Sequence, residues 1–441
     1  MGLYINLKVI MSGKSILLGL NEINFEFIQE YINKGYLPNF KQLFSAHGYK
    51  KTTSESSYEL LEPWIQWVSI HTGKMYAEHK VFRLGDIVDR RDLKQLWEIA
   101  EEMGRTVGAV SPFNARNNLK NPVFFVPDPW TQTTPSGSKL LVELSQAISN
   151  AVNNNANNKL SKESVFALLR GFVKFIPFSR YAGYVTKLSL KLTKKSTKPA
   201  VLDNILADTF ISLWKNDKPD FSSLFLNSGA HLQHHYMFNS KVYKGNQKNP
   251  DWYCPADEDP MLDILVEYDD IIGRLMKLNC RLFIATGLHQ NPHTKNTFYW
   301  RLKDHVLFLN LIGINTMRSV VPRMSRDFLI ECTSDKEAKT IQGILEGITA
   351  TQDGEKIFSA DNRGDSLFVE LIYPQEIKEN FRISVGGKQS DIDFSKYVSF
   401  VAIKNGEHDG VGYFIDTDKK YSPQESMPVK NVFTEITEAF K

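Results

Sequence analysis

Three histidines fall within five residues, His231, His234 and His235, in the stretch NSGAHLQHHYMFNS (227–240), with almost nothing charged around them. Imidazoles at this density can ligate a metal ion or carry protons. If the segment is extended, His231 and His235 point to one side and His234 to the other. If it is helical, His231 and His235 stand at i and i+4 and again share a face. That pair can bind one metal or serve as a hydrogen-bonded structural element, and the spacing leaves both readings open. His289 and His293, in HQNPH, are further candidate ligands or phosphate contacts. His71, inside SIHTG, reads as a packed core residue. Trp64 and Trp67 read as packing between elements, although either indole can stack on a sugar or base.

These residues lie at the ends of short apolar runs. KSILLGLNEIN followed by FEFIQEYINKG reads as a strand, a loop and a helix, the opening of an α/β sheet. EPWIQWVSIHT (62–72) reads as a helix with Pro63 at its first position and Gly73 ending it. RTVGAVSPFN, FSSLFLNSGAH and CRLFIATGLHQ each break from an apolar run into small and polar residues. In an open α/β sheet, ligands bind beyond the carboxyl ends of such strands. Asn21, Glu22, Asn227, His231, Thr286 and His289 are therefore expected to converge on one cleft.

At 441 residues the chain is longer than one compact core usually serves, so several lobes or one large α/β domain with insertions are expected. The net charge of +3 is too small to argue for nucleic acid, and no nucleic-acid-binding motif accompanies it. Cys254, Cys280 and Cys332 are scattered and read as reduced thiols of a cytosolic protein. The N-terminal apolar stretch is interrupted too early for a membrane span or secretory leader, and Asn6 breaks a myristoylation signal. Residues 138–200 hold eleven Lys or Arg against two Glu, with Phe166, Phe172, Phe175, Phe178 and Tyr181 interleaved. This segment is either a solvated basic face of a helical cap or, through residues 164–198, a peripheral contact with an anionic membrane. Residues 1–115 are expected to form the first part of the α/β core. Residues 116–218 are read as a helical basic cap and 219–323 as the second core part. The rest divides into a small α+β insertion with a hairpin at Arg363-Gly364-Asp365 (324–375) and the last core part with a C-terminal helix (376–441).

The order of these pieces resembles the alkaline phosphatase superfamily, in particular its type I phosphodiesterase and nucleotide pyrophosphatase branch. LGLNEINFEFIQEYINKGYLPNFKQLF matches the opening strand and the helix ending in G-x-L-P-N-L-x-x-L, through Gly35, Leu37, Pro38, Asn39 and Leu43. WVSIHTG (67–73) matches W-T-S-L-x-T-G, AHLQH (230–234) matches D-x-x-Q-H, ATGLHQ (285–290) matches the S-D-H-G strand end, and EHDGVGYFIDT carries the last histidine, His408. The resemblance implies an α/β fold with a central, mostly parallel sheet flanked by helices, and chemistry at two divalent metals.

The departures are as informative. The first aspartate of that family is Asn21 here, the nucleophile position is Pro63, Ala230 replaces the aspartate of D-x-x-Q-H, and Gly287-Leu288 replace the Asp-His pair. Only His234 and His408 stand at ligand positions, so a conventional two-metal site is not expected and at most one divalent metal is. Glu22 beside the lost aspartate and Glu62 beside the lost nucleophile can supply two carboxylates to one cleft. The alternative gives Glu62 a capping role and Glu22 an exposed loop. The expected working residues are Glu22, Glu62, His231 and His235, with Asn21, Trp64, Asn227, Gln233 and His289 contacting substrate. Two functions follow. One is a hydrolase or group transferase on a phosphorylated carbohydrate, nucleotide-sugar or lipid-linked saccharide, as in polysaccharide biosynthesis, working in the cytoplasm or at the inner face of the membrane. The other is a member without catalysis that binds glycan or phosphate.

Overall fold

The structure, a computed structural model, describes residues 13–153, 161–190, 193–323 and 326–441. Asn6, residues 154–160 of the polar run and Lys191 of the basic segment lie outside the described residues. The chain divides into two compact units, one of residues 1–245, 250–292 and 406–441 and one of residues 246–249 and 293–405.

In the first unit the elements run in this order: β1 (Ser15–Leu20), α1 (Phe25–Asn33), α2 (Pro38–His47), β2 (Lys50–Thr53), α3 (Pro63–Thr72), α4 (Tyr76–His79), α5 (Leu96–Glu102), β3 (Val107–Val110) and β4 (Phe124–Val126). Four helices follow, α6 (Lys139–Asn153), α7 (Lys162–Phe175), α8 (Phe178–Leu190) and α9 (Thr197–Asp217). Then come β5 (Phe221–Leu226), α10 (Ser228–Tyr236), α11 (Pro260–Met276) and β6 (Arg281–Ala285). The long β7 (His289–Leu302) carries the chain into the second unit. That unit holds α12 (His305–Leu311), β8 (Ser319–Pro322), β9 (Asp327–Glu331), α13 (Asp335–Glu346), β10 (Thr349–Ala350), β11 (Phe358–Asn362), β12 (Ser366–Leu371), β13 (Arg382–Val385) and β14 (Lys388–Asp393). β15 (Val398–Asp409) brings the chain back, and β16 (Val411–Asp416), β17 (Ser426–Pro428) and α14 (Asn431–Thr437) complete the first unit.

The eight-stranded sheet has the order β17-β2-β16-β6-β1-β5-β3-β4. β1 pairs in parallel with both β5 and β6, in register Leu20 to Leu226 and Gly19 to Ala285. Both faces of β1 are covered, so SILLGL is buried throughout rather than alternating. Ile16, Leu18 and Leu20 join the core with α1, α2, α9, α10 and α11. Leu17 faces the opposite core, with Trp67 and Ile70 of α3, Trp97 of α5 and Val432 of α14. Because β16 runs antiparallel to β6, its start lies at the same edge as the carboxyl ends of β1, β5 and β6. The topology thus brings residues 21–22, 227–235, 286–290 and 408–411 to one rim.

Two boundaries differ from the sequence reading. The segment 116–218, read as a helical cap insertion, also carries part of the sheet: β4 pairs with β3 at its edge, and α9 packs on β5. The small α+β piece extends beyond 324–375 to 293–405, because β7, α12, β13 and β14 share its core around Phe308, Phe358 and Phe394. Its hairpin turns at Arg363-Gly364-Asp365, between β11 and β12.

Candidate functional site

The site is built around Glu22, the second residue after β1. Its backbone is left-handed, φ 58°, which costs a residue with a Cβ on the order of 1–3 kcal/mol. Several hydrogen bonds hold it there. The Glu22 amide donates to Thr286 O (3.0 Å), and its carbonyl accepts from Gln233 Nε2 (2.6 Å) and the Gln290 amide (3.2 Å). The Glu22 side chain is buried, not in an exposed loop. Oε1 accepts from Asn21 Nδ2 (2.9 Å), and Oε2 accepts from Gln290 Nε2 (2.5 Å).

Two imidazoles face the same oxygen. His234 Nε2 and His408 Nε2 each lie 3.1 Å from Glu22 Oε2, and the two rings stand 5.1 Å apart with a steep tilt. His234 reaches this point from α10, and His408 from the end of β15, two residues before Gly410 turns the chain into β16. On the far side of His408, Nδ1 lies 3.8 Å from Glu62 Oε2. Glu62 occupies the N-cap of α3 but makes no capping hydrogen bond, so its carboxylate turns to the histidine and not to the helix amides. Pro63, at the first helical position, donates no N–H in any case.

Burial alone would raise the Glu22 carboxyl. The charges of His408 and His234, with hydrogen bonds from both, outweigh that and hold it well below the usual carboxylate range. Glu22 is therefore an anion at any working pH. At 3.1 Å a nitrogen lone pair cannot face a carboxylate oxygen with nothing between them. Each contact needs a proton on the ring or a cation shared by the three groups.

The donor set fits such a cation. Among the described residues, Glu22, His234 and His408 form one group whose ligand atoms all lie within 4.8 Å of one another. Both His–Glu separations are 3.1 Å, short enough for two ligands of one ion, and the third pair, the two imidazole nitrogens, lies within 4.8 Å. Two imidazoles and one carboxylate suit zinc and other first-row transition ions. Asn21 and Gln290 hold the carboxylate from behind, and Glu62 favours the proton on His408 Nδ1, which leaves Nε2 to bind.

The other expected residues divide. Asn21 stays in the site, donating to Asn227 Oδ1 (2.7 Å) and accepting from Trp67 Nε1 (2.7 Å). Gln233 positions Glu22, and its Oε1 accepts from the Asn24 amide at 3.0 Å. His231 and His235 share a face of α10, ring centroids 4.8 Å apart, while His234 alone turns to Glu22. Both nitrogens of His289 are engaged, Nδ1 with Val411 O (2.5 Å) and Nε2 with Asn291 Oδ1 (3.1 Å), so it ties β7 to β16. Trp64 donates to Phe82 O (3.0 Å), anchoring a loop. His293 belongs to the second unit, 3.3 Å from Thr297 Oγ1. His71 is a core residue, packed between Trp67 and Trp97.

Sequence reasoning missed Gln290 and the polar role of Trp67. Gln290 closes the strand-end motif ATGLHQ, and its proximity to an apolar run was the available signal. Trp67 packs closely on Gly287, φ 75°, where a Cβ would lie 3.2 Å from the indole nitrogen.

The sequence matches no protein-family model and no curated protein. In structure the chain is similar to phosphonoacetate hydrolase from Sinorhizobium meliloti 1021, in complex with phosphonoacetate, at 12% identity and a TM-score of 0.47, covering 97% of this chain and 96% of that one. It is similar to human ectonucleotide pyrophosphatase/phosphodiesterase 5, at 9% identity and a TM-score of 0.44, covering 97% and 94%. It is also similar to alkaline phosphatase from the Antarctic bacterium TAB5, at 12% identity and a TM-score of 0.40, covering 98% of each chain.

Proposed function

We propose that the protein is a hydrolase or group transferase that acts on a phosphoryl or related anionic ester at Glu22, His234 and His408, with one divalent metal held by these three. The observation that carries this reading is the buried Glu22 carboxylate, whose single oxygen meets two imidazoles. Such a metal, when bound, supplies Lewis-acid polarisation of the ester oxygen. The chain's own groups do the rest. Glu62, a third exposed at 33% of its side chain, keeps contact with water and can take a proton from an attacking hydroxyl. Asn227 offers its amide to the substrate at the end of β5, Asn21 holds that side chain in place, and His231 and His235 line the adjoining rim. The substrate class is a phosphorylated carbohydrate, a nucleotide-sugar or a lipid-linked saccharide, as used in polysaccharide biosynthesis.

The protein reaches that substrate at the inner face of a membrane. Among the described residues no helix is long and apolar enough to cross one. Instead α7 and α8 expose Phe166, Leu169, Val173, Phe178 and Val185, all more than 60% accessible. The basic residues divide between two tasks. Arg180 and Lys187 turn inward to Asp208, Asp270 and Glu267, clamping α8 to α9 and α11. The outward face is thus chiefly apolar, and with Arg180 and Lys187 turned inward and Arg170 beside Glu143, Lys162 and Lys174 are the basic residues of 162–190 outside these pairs that can meet anionic lipid.

One observation favours the second reading, a binding module: Pro63 stands where the resemblance places a hydroxyl nucleophile. Elemental analysis of untagged protein prepared without chelator, together with a screen of phosphate, phosphonate and sulfate esters, separates the two. The expected result is about one equivalent of a transition metal, lost in Glu22→Gln and in His234→Ala/His408→Ala, with ester turnover lost in the same variants. No metal in the parent protein would remove the metal from this reading. No turnover after metal is restored would leave the binding module.

A further inference from the structure

A cavity of about 420 Å³ opens beside the centre, bounded by the ends of β3, β4 and β5 and by α6 and α9. Its walls are apolar, with Val126, Pro129, Trp130, Ile148, Leu206 and Phe225 among them. Its polar end holds Asn227 and His231. Asn227 accepts from the same Asn21 amide that donates to Glu22 Oε1, so this end is one side chain away from the buried carboxylate.

Polar wall residues tie neighbouring elements together, Ser228 Oγ donating to Pro199 O (2.8 Å), and Lys198 also lines the cavity. Asp203 Oδ2 accepts from the Ser228 amide (3.0 Å) and the Tyr268 hydroxyl (2.6 Å), which ties down the start of α10. Phe225 is stacked on Phe113, centroids 5.0 Å apart, and meets the edge of Trp67, so its ring is not available as a platform for a base. A sugar or nucleobase needs several convergent hydrogen-bonding groups, and these walls offer an alkyl chain a better fit. The helices that form the outer wall point the same way. α6 and α9 pack against α7, the helix that exposes Phe166, Leu169 and Val173, and Leu202 of α9 is itself 51% exposed at the mouth.

We infer that this cavity seats the alkyl chain of a lipid-linked phosphate ester, with its head group at Asn227 and the Glu22 centre. This selects the lipid-linked class among the substrates proposed above and rests on Glu22, His234 and His408 being the reacting centre. The free energy of burying a methylene corresponds to about a fourfold gain in affinity for each one added.

The test is calorimetric titration of the full chain with butyl, hexyl and octyl phosphate. The parent protein is expected to tighten by about two hundredfold from butyl to octyl. Leu206→Trp and Ile148→Trp, which fill the cavity from two helices, are expected to flatten the series. Glu22→Gln is expected to keep the increments while weakening all three ligands, since it changes the head-group site alone. Equal affinities for butyl and octyl phosphate in the parent protein, or increments that survive in both tryptophan variants, overturn the inference. Increments that persist in a protein shown to turn over no ester support the cavity assignment and overturn only the reaction.

Discussion

Glu22 and His71 are both buried ionisable residues, and they are held in opposite charge states for opposite reasons. Glu22 has charged neighbours and stays an anion. His71 has only aromatic rings beside it and no hydrogen-bond partner for Nδ1, so burial pushes its imidazole down to about 3. A histidine depressed in the fold leaves the unfolded chain holding more protons below its ordinary value near 6.5. Its contribution to stability is therefore complete above that pH and is lost progressively as pH falls towards 3. Between pH 7 and pH 5 Glu22 contributes little, because its stabilisation is lost only as pH falls below the ordinary carboxylate value. His71→Leu should accordingly remove part of the acid limb. Denaturant unfolding at pH 7 and pH 5 should show the parent losing ~2 kcal/mol relative to the variant. A constant difference between them would mean that His71 is hydrated or paired. At this scale the sequence singled out His234 and His408 by motif order and Glu22 as the neighbour of a lost aspartate, and these three side chains lie together in the fold. The roles of Gln290 and Trp67 were not legible, because their hydrogen bonds to Glu22 and Asn21 join strands far apart in the chain. The i, i+4 rule grouped His231 with His235 correctly but said nothing about which face of α10 meets the carboxylate.

At the scale of elements, the apolar runs announced the core strands, and Pro63 and Gly73 bracketed α3 as expected. The stretch 116–218 was read as one cap because its basic residues dominate the pattern. The three-residue β4 is too short to show a periodicity, yet it extends the sheet. The same charge count made α8 look like a basic surface, whereas Arg180 and Lys187 pair inward and Phe178 is left 85% exposed. An apolar stripe of this kind, edged by basic residues, partitions into a bilayer by buried area and is reinforced by anionic headgroups. Phe166→Asp/Phe178→Asp should lower binding to phosphatidylserine-containing vesicles at least about tenfold. Co-sedimentation at low and high salt measures this, with vesicles of phosphatidylcholine alone as the comparison. Binding that is absent in the parent, or unchanged in the double variant, removes the membrane from the proposal without touching the reacting centre.

For the whole molecule, the sequence reading confined the small α+β piece to 324–375, whereas the second compact unit spans 293–405. β7 and β15 are each long enough to belong to both units, so no change of composition marks where one core stops and the other begins. These two strands pair with each other. Residues 293–405 also possess their own core, from Trp300 and Phe308 through Phe358 and Tyr373 to Phe394. A segment with paired ends and a private core meets the physical description of a domain. Expressed alone, 293–405 should therefore unfold in one cooperative urea transition. The complementary chain, with 293–405 replaced by a short Gly-Ser linker, should retain its equivalent of metal, since Glu22, His234 and His408 all lie in the first unit. A fragment that shows no cooperative transition would mean that the second core depends on the first. Loss of metal in the linker protein, with its circular dichroism unchanged, would mean that the end of β15 needs the length of its strand to hold His408 against Glu22.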